Sequence, residues 1–291
     1  MCIAVFMWQA HPLYPFLLLL NRDEYYTRPT KPLEWWEGGE ILGGRDEMAG
    51  GTWLACSRDG KVAFLTNFRE LQSIPQAQSR GDLPVRFLKV LTLDSYSCKC
   101  ARNISLIVVH HRHFRSKKNP TDFAEEFVKE AHQYNGFNLI LTDIQSKTMV
   151  YITNRPEEGK SFVTEVSPGI HVLTNARLDS PWPKAQRLGN NFRELLDKYG
   201  EGELPTKEMV EKLMRDTTKD EHGLLPGIFP PEREYNTSSI FIDTESPLGR
   251  YGTRSTSALF VKTTGEVDFY EKHLEKDSWE EETVTFFIEK R

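Results

Sequence analysis

Short apolar stretches separated by polar and turn-forming residues dominate the first third of the chain. Residues 3–8 and 16–20 are apolar enough for buried strands, and the breaker-rich segment between them predicts a turn. Asp59-Gly60 separates two further apolar stretches, residues 52–56 and 62–66, and this dipeptide indicates a β-hairpin. Other strands are expected at residues 137–141, 149–153, 171–173, 239–242, 257–262, 267–271 and 282–289.

Helical spacing of apolar residues occurs in the middle of the chain. Residues 121–134 carry Phe123, Phe127 and Ala131 at intervals of four, with Thr121 as the expected N-cap. Two more helices are predicted at residues 183–199, before Gly200, and 206–217. Residues 225–237 contain three prolines and are predicted to form a loop.

The order of these elements predicts the fold class. Strands come first, helices next and strands last, without the regular alternation of a parallel α/β protein, which favours an α+β fold with an antiparallel core. Residues 1–291 are expected to form one domain, because no repeat or linker divides them. Residues 89–115 stand apart as an insertion. Its ligand-type residues do not match a standard zinc spacing, so no metal site is expected there; they are Cys98, Cys100, His110, His111 and His113.

Composition argues against several classes of protein. The 37 lysines and arginines are outnumbered by 42 acidic residues, and a net charge of −5 argues against nucleic-acid binding. The best candidate membrane segment, residues 15–20, is far shorter than the ~18 apolar residues of a spanning helix, and no basic residue precedes it as in a signal peptide. Four scattered cysteines do not make a disulfide framework, which favours an intracellular, reducing compartment.

Cys2, directly behind Met1, is the most informative residue for function. If Met1 is removed, Cys2 carries a thiol and a free α-amine on one residue. An α-amine titrates near pH 8, so it can act as the general base for the adjacent thiol. The alternative interpretation is a buried strand cysteine without chemistry, so the rest of the chain must supply partners.

Polar residues lie at the ends of the predicted strands and could act together with Cys2. They are Asn21-Arg22-Asp23-Glu24, Asn67, Asn175 and Arg254. Strand ends are where a rigid sheet positions functional groups. Asparagine N–H groups can stabilise an oxyanion, and arginine or aspartate beside a thiol can tune its protonation. Each asparagine taken alone is also explained by ordinary turn chemistry.

Together these motifs resemble the NRDE family, also known as the transport and Golgi organisation protein 2 family, over most of the chain. The motifs that carry the resemblance are Met1-Cys2-Ile3, residues 20–24, 42–46, 50–54, 65–67, 79–81, 134–139 and 173–175, and Tyr251-Gly252-Thr253-Arg254-Ser255. That family in turn is similar to N-terminal-nucleophile hydrolases of the bile-salt hydrolase and penicillin V acylase group. The resemblance implies a four-layer α/β-sheet/β-sheet/α sandwich, with Cys2 at the start of a central strand.

The resemblance also implies a catalytic set. Cys2 would be the nucleophile, Asn67 and Asn175 the oxyanion donors that approach it across one cleft, and Arg254 the late active-site arginine. The hydrolases carry Arg-Asn-x-Asp where this chain has Asn21-Arg22-Asp23-Glu24. A gapless match sets Asn21 and Glu24 on the arginine and aspartate positions, whereas a one-residue shift keeps the arginine as Arg22 and leaves the acid open between Asp23 and Glu24.

We therefore expect Arg22 and Asp23 to be catalytic, with Arg22 in a buried ion pair with an acid and Asp23 directed to the cleft. Asn21 and Glu24 are expected at the binding site. The aromatic side chains of Trp53 and Phe68 would line an apolar pocket there.

Three functions stay open from the sequence. The first is a cysteine-dependent amide hydrolase or acyl-transfer enzyme. The second is a non-catalytic carrier of an acyl chain, acyl-coenzyme A or haem, and the third is a scaffold for secretory-pathway assembly. The resemblance implies Golgi organisation, protein secretion and lipid or haem handling, in a cytoplasmic protein that associates with the Golgi or mitochondria. The expected ligand is a small amide, acyl or haem-like molecule, with no cofactor and no indicated protein partner.

Overall fold

The computed structural model describes residues 2–89 and 118–291, which form two antiparallel sheets with helices outside them. The strands are β1 (Ile3–Trp8), β2 (Phe16–Tyr25), β3 (Thr30–Trp35), β4 (Ile41–Asp46), β5 (Leu54–Ser57), β6 (Lys61–Asn67), β7 (Phe137–Asp143), β8 (Thr148–Thr153), β9 (Val163–Glu165), β10 (Gly169–Leu173), β11 (Asp243–Ser246), β12 (Gly249–Val261), β13 (Glu266–Glu275) and β14 (Ser278–Phe287). The helices are α1 (Asp82–Leu88), α2 (Pro120–Phe127), α3 (Pro183–Tyr199), α4 (Thr206–Met214) and α5 (Pro231–Asn236), with short 3₁₀ turns at Val128–Gln133 and His222–Leu224.

The two sheets have different strand orders. In the first sheet the order is β10-β1-β2-β12-β13-β14, with β11 beside β12, and in the second β3 to β9 follow one another in chain order. Alternation along each strand gives every sheet two apolar faces. In β2, Leu18 and Leu20 face the second sheet, whereas Leu17 and Leu19 pack towards α3 and α4. This alternation later decides where the polar end of β2 points.

Three apolar clusters separate four layers. The central cluster joins the inner faces of the sheets, where the rings of Phe6 and Phe64 meet edge to face with centroids 5.4 Å apart. A second cluster packs the first sheet on α3 and α4, and a third packs the second sheet on α1 and α2. The resulting helix–sheet–sheet–helix arrangement confirms the predicted α+β sandwich.

Several predicted elements have the expected bounds. Residues 183–199 form α3, because Pro183 suits the first helical turn and Gly200, at φ 59°, follows the last one. The predicted hairpin joins β5 to β6 through Gly60, whose φ is 82°. The N-cap of α2 is Asn119 rather than Thr121, since the Asn119 side chain accepts the N–H of Asp122 at 2.9 Å.

Two other predictions are wrong. Residues 239–242 are not a strand: the Ile240 carbonyl accepts from Asn21 Nδ2 at 3.0 Å and the Phe241 N–H donates to the Asp216 backbone carbonyl at 2.7 Å, whereas Ile242, at the end of the segment, accepts the Thr253 N–H of β12 at 2.7 Å. Residues 225–237 are not wholly a loop, since they contain α5, which begins at Pro231.

The most consequential correction concerns β2. The apolar pattern ends at Leu20, but the strand continues to Tyr25, because β12 pairs with it along its whole length. Asn21 lies opposite Thr256 and Asp23 opposite Thr253 in that ladder. Pairing with a distant strand therefore holds these polar residues inside the sheet, where hydropathy alone predicts a loop. The same cause explains β3 and β4, which the apolar pattern does not predict.

The predicted insertion at residues 89–115 lies, apart from Lys89, outside the described residues. The cysteines and histidines of that segment lie outside them as well. Among residues 2–89 and 118–291, no helix is long and apolar enough to cross a membrane.

Candidate active site

One row of residues crosses the end of the first sheet at Cys2. Ala4 pairs with Leu173 of β10, and Ile3 pairs with Asn21 of β2. Continuing these two registers towards the chain start sets Asn175 on one side of Cys2 and Arg22 on the other. The ladders of β12 and β13 extend the row, which then reads Asn175, Cys2, Arg22, Ser255 and His273.

The four residues Asn21-Arg22-Asp23-Glu24 divide between the two faces of the sheet. Because Leu18 and Leu20 face the second sheet, alternation directs Arg22 and Glu24 to the same inner face. Asn21 and Asp23 point to the opposite face, towards α3 and α4. Arg22 therefore lies on the same face of the sheet as Cys2. The side chains of Asn21 and Asp23 lie on the other face, between the sheet and the helices.

Cys2 is buried, with 9% of its surface exposed. Burial raises the pKa of its thiol above the ordinary value, and the charge of Asp23 adds to the rise. A hydrogen bond from the backbone N–H of Asp23 and the positive charge of Arg22 act in the opposite direction, because both stabilise a thiolate. The thiol is therefore held as a neutral group beside two features that favour its ionised form.

Asp23 is a buried carboxyl group, 4% exposed, that accepts a hydrogen bond from Thr253 Oγ1 at 2.7 Å. Burial raises its pKa to about 6, although the charge of Lys184 lowers it. Lys184 is itself 3% exposed and donates to the Thr237 carbonyl at 2.9 Å. Burial lowers the pKa of Lys184 to about 8, so both groups titrate close to neutrality.

Arg22 lies with its guanidinium 4.2 Å from the ring centroid of Trp53. It is 5% exposed, and its Nη1 has no hydrogen-bond partner among the described residues. The expected ion pair is not seen in that part of the chain, where no carboxylate lies within 4.0 Å of the guanidinium; Arg22 stacks on an aromatic ring instead. Gly44 permits this stacking, since a Cβ there would lie 2.4 Å from the Trp53 ring.

The two predicted oxyanion asparagines contact each other. Asn175 is 1% exposed, and its Nδ2 donates to the backbone carbonyl of Asn67 at 2.8 Å. The contact therefore uses the side chain of Asn175 and only the backbone of Asn67. Thr66 Oγ1 donates to the Thr174 carbonyl next to it, and the Arg69 N–H donates to the Asn175 carbonyl at 2.7 Å. The ends of β6 and β10 are thus fixed to one another beside Cys2.

Arg254 lies at a β-bulge. Thr253 pairs with Asp23 and Ser255 with Arg22, so Arg254 is the extra residue of β12 at this point. Its Nη1 donates to the carbonyls of Tyr25 and Tyr26, both at 2.9 Å, and its Nε is buried without a partner among the described residues. The bulge re-aims this side chain relative to its neighbours in the strand.

The predicted binding residues are dispersed. Asn21 is buried between β2 and the α4 side, where Nδ2 donates to the carbonyls of Met214 and Ile240 and Oδ1 accepts from Thr256. Glu24 is partly exposed and accepts the N–H of Tyr25 at 2.9 Å. Phe68 lies 5.7 Å from the Arg177 guanidinium. Trp53 is thus the one of the four that these contacts place directly against a predicted catalytic residue.

Two charged residues near the site were not predicted from the sequence. Lys184 has no sequence signal beyond its place in the first turn of α3. Arg80 belongs to Ser79-Arg80-Gly81, and burial lowers its pKa, while the charge of a Cys2 thiolate would raise it. Arg80 Nη1 donates to the Gly136 carbonyl at 2.9 Å, which holds it at the edge of the second sheet. In the sequence, Arg80 is indicated only by its place in the motif Ser79-Arg80-Gly81.

The matching family model and three of the relatives that match this chain carry the name transport and Golgi organisation. The model of the family "Transport and Golgi organisation 2" matches residues 1–276. The Transport and Golgi organization 2 homolog of Mus musculus is 31% identical, with 99% of this chain and 100% of the relative covered. The Homo sapiens homolog shows the same identity and coverage. The Drosophila melanogaster protein is 22% identical over 94% of this chain and 92% of its own length.

Solved structures with a similar chain path are more distant. A mutant of conjugated bile acid hydrolase from Clostridium perfringens is 10% identical, with a TM-score of 0.46, over 99% of this chain and 97% of that chain. The Caenorhabditis elegans ortholog of N-acylethanolamine-hydrolyzing acid amidase is 12% identical, with a TM-score of 0.38, over 89% and 92% of the two chains.

Proposed function

This chain belongs to the Transport and Golgi organisation 2 family, and we propose that it is a cysteine-dependent hydrolase of N-acyl amides with Cys2 as the nucleophile. Two observations support the proposal: the registers of β1 with β10 and β2, extended by one or two residues, set Asn175 and Arg22 on either side of Cys2, and the Asp23 backbone N–H and the Arg22 charge both lower the pKa of the Cys2 thiol against its burial. The names of the mouse, human and fly relatives refer to transport and Golgi organisation. We extend that setting, with lipid or haem handling, to this chain as its biological context.

The proposed reaction uses the two functional groups of an amino-terminal Cys2. Its α-amine takes the thiol proton while the sulfur attacks the acyl carbonyl, forming a tetrahedral oxyanion. One Asn175 amide hydrogen already bonds Asn67, and the other is available to donate to that oxyanion. Collapse breaks the C–N bond, and the leaving amine receives the proton from the α-ammonium. Water then hydrolyses the thioester, releases the carboxylic acid and restores the thiol.

The charged neighbours have distinct roles in this proposal. Arg22 and the Asp23 N–H favour the thiolate that the burial of Cys2 disfavours. The Asp23 carboxylate lies one residue further along β2, within reach of the amino end of β1, and would orient the α-amine when ionised. Arg254 adds positive charge on the inner face of the sheet. Asn67 contributes through its backbone, which positions the Asn175 side chain.

The carrier of an acyl chain, acyl-coenzyme A or haem remains the second candidate. One observation favours it: burial raises the pKa of Cys2, and a buried neutral thiol is typical of a cysteine without chemistry. A carrier would bind its ligand reversibly, without a covalent acyl intermediate. The two candidates therefore differ in what happens to the Cys2 sulfur.

The deciding experiment is intact-mass analysis of purified protein before and after exposure to an N-acyl amide or an activated acyl ester. A hydrolase requires a mature chain that lacks Met1 and gains one acyl group at Cys2, located by peptide mass spectrometry. Cys56→Ala is the matched control, since Cys56 is the other free cysteine of the described residues and lies buried in the core. It should acylate normally, whereas Cys2→Ala should not. A retained or acetylated Met1, with tight but purely reversible binding, would support the carrier.

A further inference from the structure

Lys184 occupies a position that is unfavourable for a lysine. It lies in the first turn of α3, where residues 183–186 include no acid. A positive charge at this end of a helix opposes the helix dipole, and acidic residues are favoured there instead. The side chain is also 3% exposed, and burial of an ammonium group is unfavourable unless other charges compensate it. Two local rules are thus broken at one residue, which is typical of functional sites.

Three other charged groups that face Lys184 belong to ion pairs of their own. Arg69 pairs with Glu234 at 3.4 Å, and both side chains are buried. Asp220 accepts a hydrogen bond from Arg187 at 2.7 Å and another from the backbone N–H of Lys184 at 3.2 Å, so this acid also caps the start of α3. These charges largely compensate one another, and the ammonium group of Lys184 lies beside them.

The chain segment before β11 connects Lys184 with the outer face of β2. At its beginning, the Thr237 carbonyl accepts the hydrogen bond of Lys184 Nζ at 2.9 Å. At its end, the Ile242 N–H donates to Thr253 Oγ1 at 3.0 Å. Because this hydroxyl accepts from Ile242, its own hydrogen is directed to Asp23 Oδ1, at 2.7 Å. Lys184 and the Asp23 carboxyl group therefore lie on the same face of the first sheet.

Asp23 and Lys184 also act on each other through their charges. Burial raises the pKa of Asp23 to about 6, whereas the charges of the chain's amino group, Lys184 and Arg22 lower it. Burial lowers the pKa of Lys184 to about 8, and the charge of Asp23 raises it. Lys184 is therefore still charged at the pH where Asp23 titrates. A neighbouring positive charge stabilises the ionised form of a buried carboxyl group.

We propose that Lys184 is a positioning residue of the Cys2 site: its buried ammonium group keeps the Asp23 carboxyl ionised, so that Asp23 can orient the α-amine of Cys2. The role of Asp23 rests on the proposed hydrolase function, but the charge coupling itself does not require catalysis. Lys184 acts from the helix side of the sheet, on the face opposite to Arg22. The charge state of the site would thus depend on both faces of the sheet.

The first arm of the test measures the titration of Asp23 without chemistry. The carbon-13 signal of its carboxyl carbon is followed from pH 4.5 to pH 8.5 in protein labelled at aspartate, and Asp23→Asn identifies the signal by removing it. We expect a wild-type midpoint near pH 6 that Lys184→Met raises by about 1 pH unit or more, because it removes an opposite charge. Lys184→Arg keeps the charge and should restore the wild-type midpoint.

Two further variants accompany the first arm. Lys184→Gln also removes the charge but can still donate to the Thr237 carbonyl, so it serves if Lys184→Met does not fold. It should raise the Asp23 midpoint to the same extent. Lys198→Met is the matched control, because Lys198 lies in the last turn of the same helix, is more than half exposed and pairs with Glu208 at 3.5 Å. It should leave the Asp23 midpoint unchanged.

The second arm measures acylation of Cys2 by p-nitrophenyl acetate, followed by intact mass over the same pH range. In Lys184→Met or Lys184→Gln, the part of the rate loss that comes from Asp23 should begin about 1 pH unit higher. At pH 6.5 the rate should fall about threefold, because the ionised fraction of Asp23 falls from about three quarters to about one quarter. Lys184→Arg should restore the wild-type profile. A merely structural role of Lys184 would lower the rate by the same factor at every pH.

The two arms separate the possible failures. A midpoint that rises in Lys184→Met together with the acid limb of the profile supports the positioning role. A midpoint that rises while wild-type Cys2 is not acylated supports the charge coupling and refutes the hydrolase. If neither Lys184→Met nor Lys184→Gln raises the midpoint, the proposal is overturned, and acylation of Cys2 would leave the hydrolase standing. A loss of rate by one factor at every pH overturns the proposal as well.

Discussion

Replacing Asp23 by asparagine should stabilise the folded protein at neutral pH while it removes activity. The carboxyl group is 4% exposed, and burial raises its pKa from 3.8 to about 6. Asparagine has nearly the same shape, and its Oδ1 can still accept the hydrogen bond from Thr253 Oγ1. Asp23→Asn therefore removes a negative charge for which burial outweighs the favourable charge of Lys184 and the other interactions of the carboxylate, as the raised pKa shows.

The size of the effect follows from the two pKa values. One pKa unit corresponds to 1.36 kcal/mol, so the ionised form is disfavoured in the folded state by about 3 kcal/mol at pH 7.5. Because the folded pKa is the higher one, the folded protein binds the extra proton between about pH 4 and pH 6. Stability is thus lost as the pH rises through this window, and the penalty falls to about 1 kcal/mol at pH 4.5.

The assay is urea-induced unfolding of the wild type and Asp23→Asn at pH 7.5 and pH 4.5. The variant should be the more stable by about 3 kcal/mol at the higher pH and by about 1 kcal/mol at the lower, because all other titrating groups are shared. Asp243→Asn is the control: its side chain is 45% exposed and paired with Arg250, so the change should be destabilising and below about 1 kcal/mol. If Asp23→Asn destabilises the protein at pH 7.5, the carboxylate is stabilised by its surroundings and the reasoning from burial fails.

Four further outcomes are expected. Cys2→Ser should keep the fold and weaken turnover, whereas Cys2→Ala should abolish it in a hydrolysis assay; turnover at the wild-type rate in Cys2→Ala would place the chemistry elsewhere. Asn175→Ala should lower kcat about 10²-fold or more, and Asn67→Ala much less, because only the backbone of Asn67 makes the contact; equal losses would refute this division. In a pH–rate profile, kcat/KM should fall first as the general-base α-amine is protonated, near pH 8, and more steeply below about pH 6, where Asp23 becomes protonated as well; an unchanged slope below pH 6 would exclude the Asp23 role. Glu234→Gln should destabilise the protein by about 3–5 kcal/mol in urea unfolding, because it removes the buried negative charge that pairs with Arg69 and accepts the N–H groups of residues 227–229; a change below 1 kcal/mol would contradict this.

Local patterns in the sequence predicted those parts of the fold that local physics determines. Residues 183–199 could be assigned because an apolar stripe, Pro183 and Gly200 all lie within one stretch of chain. The hairpin at Asp59-Gly60 is local in the same sense. The end of β2 and residues 239–242 depend instead on partners far away in sequence, namely β12 for the first and Asn21 and Asp216 for the second. Hydropathy contains no information about those partners.

The candidate site shows the same division. Cys2, Asn175 and Arg254 could be chosen from residue type and motif, since their chemistry is visible in the sequence. The stacking of Arg22 on Trp53 could not, because it depends on Gly44 admitting the Trp53 ring against β4. Lys184 could not be chosen either, since its lowered pKa results from burial beneath the loop that carries Thr237. Residue types in the sequence can therefore indicate which residues form a site, but the pKa values of those residues depend on how they pack in the fold.

Strand alternation bears directly on the alternatives that the four-residue motif leaves open. A gapless match would put Asn21 at the position of the active-site arginine. Asn21 faces α4, however, and its side-chain amide already donates hydrogen bonds to the carbonyls of Met214 and Ile240. Arg22 faces the second sheet on the same side as Cys2, which favours the one-residue shift. The backbone and the side chain of Asp23 then act on different faces of the sheet. The Asp23 backbone N–H lowers the pKa of the Cys2 thiol, while the carboxyl group lies on the opposite face and accepts a hydrogen bond from Thr253. Because a strand exposes successive residues on opposite faces, adjacent positions can act on the nucleophile through the side chain of one and the backbone of the next.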